Sequence, residues 1–242
     1  MTLYSNTLKH LINYLIINSS TMSNNKIILN FLAELSENNS KEWMDKNRSK
    51  YSTAKEYWLQ EVKQILAMLC KHDNHYFSIF EPKDCISRIT NNRVFNPELP
   101  IYKTHFTFTV MDKKDMFSPL HVSIGNDHSF VGCGYHNPDK GVLANIRAAI
   151  DYDGATFQSI LENKAFKTFF GGLDNFMEPL KTSPKGYPNT HPFVEYLRYK
   201  NFVVSRSFTK DEINGKSFHA IIEKAYLLSI PFRQYLQQAN SV

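Results

Sequence analysis

Residues 102–110, YKTHFTFTV, alternate without a break. Tyr102, Thr104, Phe106, Phe108 and Val110 fall on one face, and Lys103, His105, Thr107 and Thr109 on the other. A period of two built from aromatic and β-branched residues predicts a strand with one face in a core and the other in water. A turn, DKKDMFSP, follows. The runs Leu120 to Ile124 and Ser129 to Tyr135 around GNDH then predict a hairpin. Phe202 to Phe208 alternates again and predicts a further strand. Such a chain cannot be all-helical.

Helical spacing dominates elsewhere. Ser23 and Asn24 are good N-caps ahead of Ile27, Ile28, Phe31, Leu32 and Leu35. Ser40 opens a stripe of Trp43, Tyr51, Ala54, Trp58, Val62, Ile65 and Leu69. That stripe reads as one amphipathic helix of about 30 residues, and as core packing. Helices are expected again over Val142 to Ile150, Ala155 to Glu162, Pro192 to Tyr199 and Lys216 to Leu228. Pro231 suits the first turn of a last short helix. The order predicts an α+β fold: one domain with N-terminal helices, a central antiparallel sheet and C-terminal helices.

The chain has 242 residues, with no internal repeat and no obvious linker, so one domain over residues 22–242 is expected. Residues 1–21 carry an apolar run, Leu11 to Ile17, interrupted by Asn13 and Tyr14. The run is too short and too polar for a signal peptide or a membrane span, and the segment reads as an extension outside the fold. Net charge is +5, and the basic residues come in pairs such as Lys113-Lys114 rather than in a dense stripe. That disfavours nucleic acid as a partner. Cys70, Cys85 and Cys133 match neither a disulfide framework nor a zinc pattern, which fits a reducing, cytoplasmic setting.

No catalytic signature of the nucleophile-elbow, phosphate-loop or zinc-protease kind is present. GCG at 132–134 follows a strand without opening a helix, so a close backbone approach explains it better than phosphate binding. His105, His121, His128 and His136 lie in or beside strands without metal-ligand spacing. Neither a metal nor a cofactor is expected. The basic residues are more suggestive. Arg88 and Arg93 precede the first strand, Lys103 sits on its polar face, Lys185 stands in a Pro/Gly loop, and Arg206 ends a later strand. Arginine forks and a lysine point charge suit a carboxylate or phosphate. Brought together, with Tyr102, Tyr187 and His191 as hydrogen-bonding groups, they would bind an anionic small molecule. Each alone is an ordinary solvated charge.

Three blocks, in this order, carry a resemblance. They are FLAELSENNSKEWMDKNRSKY, then GNDHSFVGCGYHNPD followed by IRAAI, then PKGYPNTHPFVEYLRYKNFVVSRSF. From about Ile27 to Gln238 the chain resembles the bacterial domain-of-unknown-function 2461 family. The resemblance implies a shared fold and a shared site rather than a particular reaction. The family's charged run is Arg, two residues, Arg-Asp, one residue, Arg-Phe, then a Lys, then Tyr-Lys. Laid on this chain it matches Arg88, Phe95, Tyr102 and Lys103. Asn91, Asn92, Val94 and Leu99 replace the second Arg, the Asp, the third Arg and the Lys, and Arg93 is displaced by one residue. Losing that Asp removes the obvious general base. Three functions therefore stay open. One is anion binding in a basic pocket, and one is an enzyme using the same pocket with His191 or His105 as acid/base. The third is a non-catalytic protein-interaction role.

Overall fold

A computed structural model describes residues 23–111 and 116–241. The extension expected at 1–21, and part of the turn expected at 112–119, lie outside the described residues.

The first described helix, α1 (Asn24–Glu37), is capped by the Ser23 hydroxyl, which accepts the Lys26 N–H. Ser40 caps α2 (Lys41–Lys46) in the same way, through the Trp43 N–H. Next comes α3 (Arg48–Leu69). The apolar stripe predicted one helix across α2 and α3, and the structure divides it at Asn47. There φ is −110° and ψ is 23°, and both the backbone N–H and the side-chain amide donate to the Trp43 carbonyl. Asparagine offers the backbone a local alternative to helical bonding, so apolar periodicity can continue across a break.

Two one-turn helices, α4 (Asn74–Phe77) and α5 (Pro82–Cys85), lead into the sheet. Its strands are β1 (His105–Val110), β2 (Phe117–Gly125), β3 (Phe130–Tyr135) and β4 (Phe202–Ser207). They are antiparallel in the order β1-β2-β3-β4. Residues 86–90 run along the free edge of β1, with Ile86 opposite Phe108 and Thr90 opposite Tyr102. Asn39 clamps that approach. Its amide donates to the Tyr102 carbonyl, and its carbonyl accepts the Tyr102 N–H. Gly134 is where β4 comes closest. Its φ is +121°, and a Cβ there would lie 2.0 Å from the Phe202 carbonyl oxygen. The GCG stretch thus serves strand packing.

After the sheet, α6 (Lys140–Glu162) is two helical stretches joined at non-helical backbone at Asp153 (φ −139°, ψ 54°), in keeping with the two helices expected over Val142 to Ile150 and Ala155 to Glu162. Then come α7 (Lys164–Phe170), α8 (Val194–Leu197), and, beyond β4, α9 (Lys210–Asn214). The chain finishes with α10 (Phe218–Leu228) and α11 (Ile230–Ala239), with Pro231 in the first turn of the latter. The four short helices α4, α5, α7 and α9 had no counterpart in the periodicity, because one or two turns cannot establish a stripe.

The helices lie against one face of the sheet. On that face Phe108, Val110, Val122, Ile124, Val131, Tyr135, Phe202 and Val204 are fully buried. Phe106 stacks between Phe31 of α1 and Trp58 of α3, with ring centroids 6.3 Å away on each side. The fold is α+β, with eleven helices among the described residues. No helix there is long and apolar enough to cross a membrane.

Candidate functional site: a cationic hollow and the outward face of the sheet

A basic concavity lies between α6 and the loop before α8. Lys140, Leu143, Ala144 and Arg147 of α6 face Pro184, Lys185 and Tyr187 across a hollow of about 300 Å³. The loop wall is held by its own hydrogen bonds. The Tyr187 N–H donates to the Pro184 carbonyl, the Ser183 hydroxyl donates to the Tyr187 carbonyl, and the Ser183 N–H donates to Asn189 Oδ1. Gly186, at φ +96°, makes the turn. Arg147 joins the walls: its Nε and Nη2 donate to the carbonyls of Leu197 and Tyr199 at 2.9 and 3.2 Å. Burial pushes the Arg147 pKa down, with nearby Tyr187 opposing that shift. Burial also pushes Tyr187 up, so its phenol stays protonated at neutral pH.

His191 braces the same corner. Its Nδ1 accepts the Phe193 N–H, so Nε2 carries the proton and donates to Asp151 of α6 at 2.9 Å. Both ring nitrogens are thereby engaged within the protein. Phe193 packs onto α6 where Gly154 leaves room, since a Cβ at Gly154 would lie 2.2 Å from the Phe193 ring.

The second region is the outward face of the sheet, and strand register places its residues in rows. Thr107, Ser123, Phe130 and Ser207 form one row, and Thr109, His121, Gly132 and Ser205 the next. At the β1 edge, Ser87 accepts hydrogen bonds from Lys103 Nζ at 3.3 Å and from the Thr107 hydroxyl at 2.6 Å. Burial, and then neighbouring Arg88, hold the Lys103 pKa below its ordinary value. His121 shares a 2.7 Å hydrogen bond with Thr109, and burial brings its pKa down to about 4, aided by His136 and His105. His105 is also lowered, by burial, Lys103 and His128 in that order. Asp174, bonded to Ser205 at the β4 side, is raised by burial.

The anticipated site residues therefore divide. Lys185 and Tyr187 line the hollow, with His191 behind them. Arg88 and Lys103 stand at the outward face. Tyr102 is buried in the core, bound through its backbone to Asn39. Arg93 donates twice to the Pro97 carbonyl and closes its own exposed loop. Asn91 and Asn92 help build that loop: the Asn91 amide donates to the Pro100 carbonyl, and Asn92 Oδ1 accepts the Val94 N–H. Arg206 lies opposite Val131, on the helix-covered side of the sheet, and is gripped by the Glu212 carboxylate through two hydrogen bonds. One basic pocket holding all of these residues does not form.

Arg147 and Lys140 were missed. They had a signal: Lys140, Leu143, Ala144, Arg147 and Asp151 recur at the spacing of one helix face. Asp174 had none, because its place depends on a loop running beside β4, where its N–H donates to the Val203 carbonyl. Among the described residues no group of three or more His, Cys, Asp or Glu is arranged to hold a metal ion, and the three cysteines are free.

Comparisons with curated proteins and with solved structures gave no match. A family model described as "Conserved hypothetical protein (DUF2461)" matches residues 27–235, and the chain belongs to that family.

Proposed function

We propose that the protein binds an anionic small molecule in the hollow between α6 and the 183–189 turn. The observation that carries this reading is the charge of the wall. Arg147, Lys140 and Lys185 line the hollow, and no carboxylate does. None of the three is ion-paired among the described residues. The hollow between α1 and α3 makes the contrast. It is of similar size, about 260 Å³, but its Lys50 is neutralised by Glu34 on the facing wall at 2.6 Å. Asp151 stands one turn beyond Arg147 on α6, where His191 holds it, and Asp139 caps the same helix through the Val142 N–H.

Arg147 is fixed before any ligand arrives, which reduces the ordering cost of binding. Its planar fork suits a phosphate or carboxylate, Lys185 and Lys140 add point charges at the rim, and the Tyr187 hydroxyl adds a neutral donor. Leu143, Ala144 and Pro184 leave an apolar wall for a short carbon skeleton. The volume suits a small organic phosphate or a dicarboxylate.

The test is calorimetric titration of the full chain with glycerol 3-phosphate and with succinate, each beside its uncharged analogue. Binding of at least one anion, weakened about tenfold or more by Lys185→Glu, is expected from a lost charge-assisted contact of roughly 1.5–3 kcal/mol. Arg147→Lys should weaken it as well, with a lower melting temperature from the lost bonds to the Leu197 and Tyr199 carbonyls. Anion binding that is equal in the natural protein and in Lys185→Glu would refute the assignment.

The loop after Arg88 supports a second reading, a protein-interaction role. Val94 and Phe95 are 79% and 83% exposed there, and Leu99 joins them at 41%. Val94 and Leu99 stand where the family's motif carries charge, so apolar side chains have taken the place of charged ones. Val94→Arg with Leu99→Lys should reduce self-association or partner capture if that role is real. Unchanged association would remove it.

A further inference from the structure

We propose that the outward face of the sheet is a second binding site, for a small anion that carries a flat ring. Arg88 and Lys103 take the anionic group, and the His128–Phe130 pair takes the ring.

The cationic end rests on geometry. Ser87 draws Lys103 Nζ to the β1 edge, and the Arg88 charge stands near enough to Lys103 to help lower its pKa. Neither cation has a carboxylate partner among the described residues. Two like charges held together without a counter-charge are costly, and an anion between them relieves that cost. The Ser87 and Thr107 hydroxyls stand beside them as further hydrogen-bonding groups.

The ring end lies across the strands. Phe130 sits 4.9 Å from the His128 ring and 5.3 Å from the His121 ring, the latter nearly parallel at 26°. His121 covers one side of this cluster, and His128 is exposed on the other. Flat rings stack on such a surface. Thr107, Ser123 and Phe130 are successive neighbours across β1, β2 and β3. With Ser87 one further step out, the cationic end and the ring end are separated by roughly 10–14 Å. A molecule of nucleotide size spans that distance. His105 lies between the two ends, and its lowered pKa leaves a neutral imidazole there at pH 7. The facing carboxylate, Asp174, lies on the β4 side, where it bonds to Ser205.

This site shares no residue with the hollow, so the two proposals fail separately. The probe is adenosine 5′-monophosphate, titrated into the full chain at pH 7 and followed by calorimetry and by imidazole NMR. Inorganic phosphate and adenosine serve as half-probes. The monophosphate should bind at least tenfold tighter than either half. Lys103→Ala should weaken it about tenfold and His128→Ala several-fold. Lys185→Glu should leave it unchanged. The His105 and His128 resonances should move, and those of His72 and His219, which are bonded to Glu223 and Glu61 at helix contacts, should not. Three results would each overturn the proposal: no binding, binding indifferent to Lys103→Ala, or binding lost with Lys185→Glu.

Discussion

The two faces of the sheet are made by the same strands, yet they differ in almost every property. Toward the helices, Phe108, Val122, Val131 and Val204 have no exposed surface. Away from them, alternate residues of the same strands are Thr107, His121 and Ser205, all partly exposed. The covered face gains its stability from burial. The outward face is free of that demand and can hold groups that would be costly in a core. These include a lysine with no carboxylate partner among the described residues, a neutral histidine and a carboxyl with a raised pKa. An antiparallel sheet permits this division because its two faces need not both be covered.

The largest expected effect tests the covered face. Phe108→Ala should destabilise the protein by about 3–5 kcal/mol, as measured by urea unfolding, because it empties a site closed by β1, β2 and the edge at Ile86. A loss below about 1 kcal/mol would mean that the two faces are not as different as their burial suggests.

His121 should tie the outward face to pH. In the unfolded chain it takes up a proton near 6.5, and in the folded protein only at about 4. Between those values the unfolded state binds more protons, so the contribution is complete above about 6.5 and is lost as pH falls toward about 4. The slope approaches about 1.4 kcal/mol per pH unit. His121→Gln should flatten unfolding free energy against pH across that window. Parallel curves for the two proteins would show that His121 is solvated.

Arg206 is the exception on the covered side. Its hydrogen bonds to Glu212 are the main reason that carboxyl is lowered from 4.5 to about 2, and Glu212 also completes the capping box of α9. A lowered carboxyl stabilises above its unfolded pKa, and the contribution disappears as pH falls from about 4.5 to about 2. Arg206→Ala should therefore cost about 1–2 kcal/mol at pH 7 and progressively less below pH 4. A pH-independent difference would point to lost packing against Phe169 and Phe208 instead.

The smallest effect is expected for Lys103→Ala. Removing one of two adjacent cations should change stability by no more than about 0.5 kcal/mol, while altering ligand response. A large loss of stability would make Lys103 a structural residue.

Much of the fold was legible because burial writes a period into the sequence. Alternation from Tyr102 to Val110 marked β1 and named its inward residues. The stripe through Trp58, Val62, Ile65 and Leu69 marked α3, all four of which are buried. The break at Asn47 was hidden because the stripe crosses it. The candidate site was less legible. Lys185, Tyr187, Arg88 and Lys103 were each singled out by residue type and setting, which says nothing of distance. Arg206 looked equivalent to Lys103 in the chain, yet register puts them on opposite faces.

The sequence by itself determined the class of fold, its family, and which alternate residues of each strand enter the core, because those depend on local periodicity and residue type. Only the tertiary structure decided which cations keep company. Arg147 meets Lys185 because α6 packs beside a loop that follows it by more than a helix length, fixed through the Leu197 and Tyr199 carbonyls. Arg206 is neutralised because α9 brings Glu212 back to it. Charge has no period, and its partners are set by packing between segments far apart in the chain.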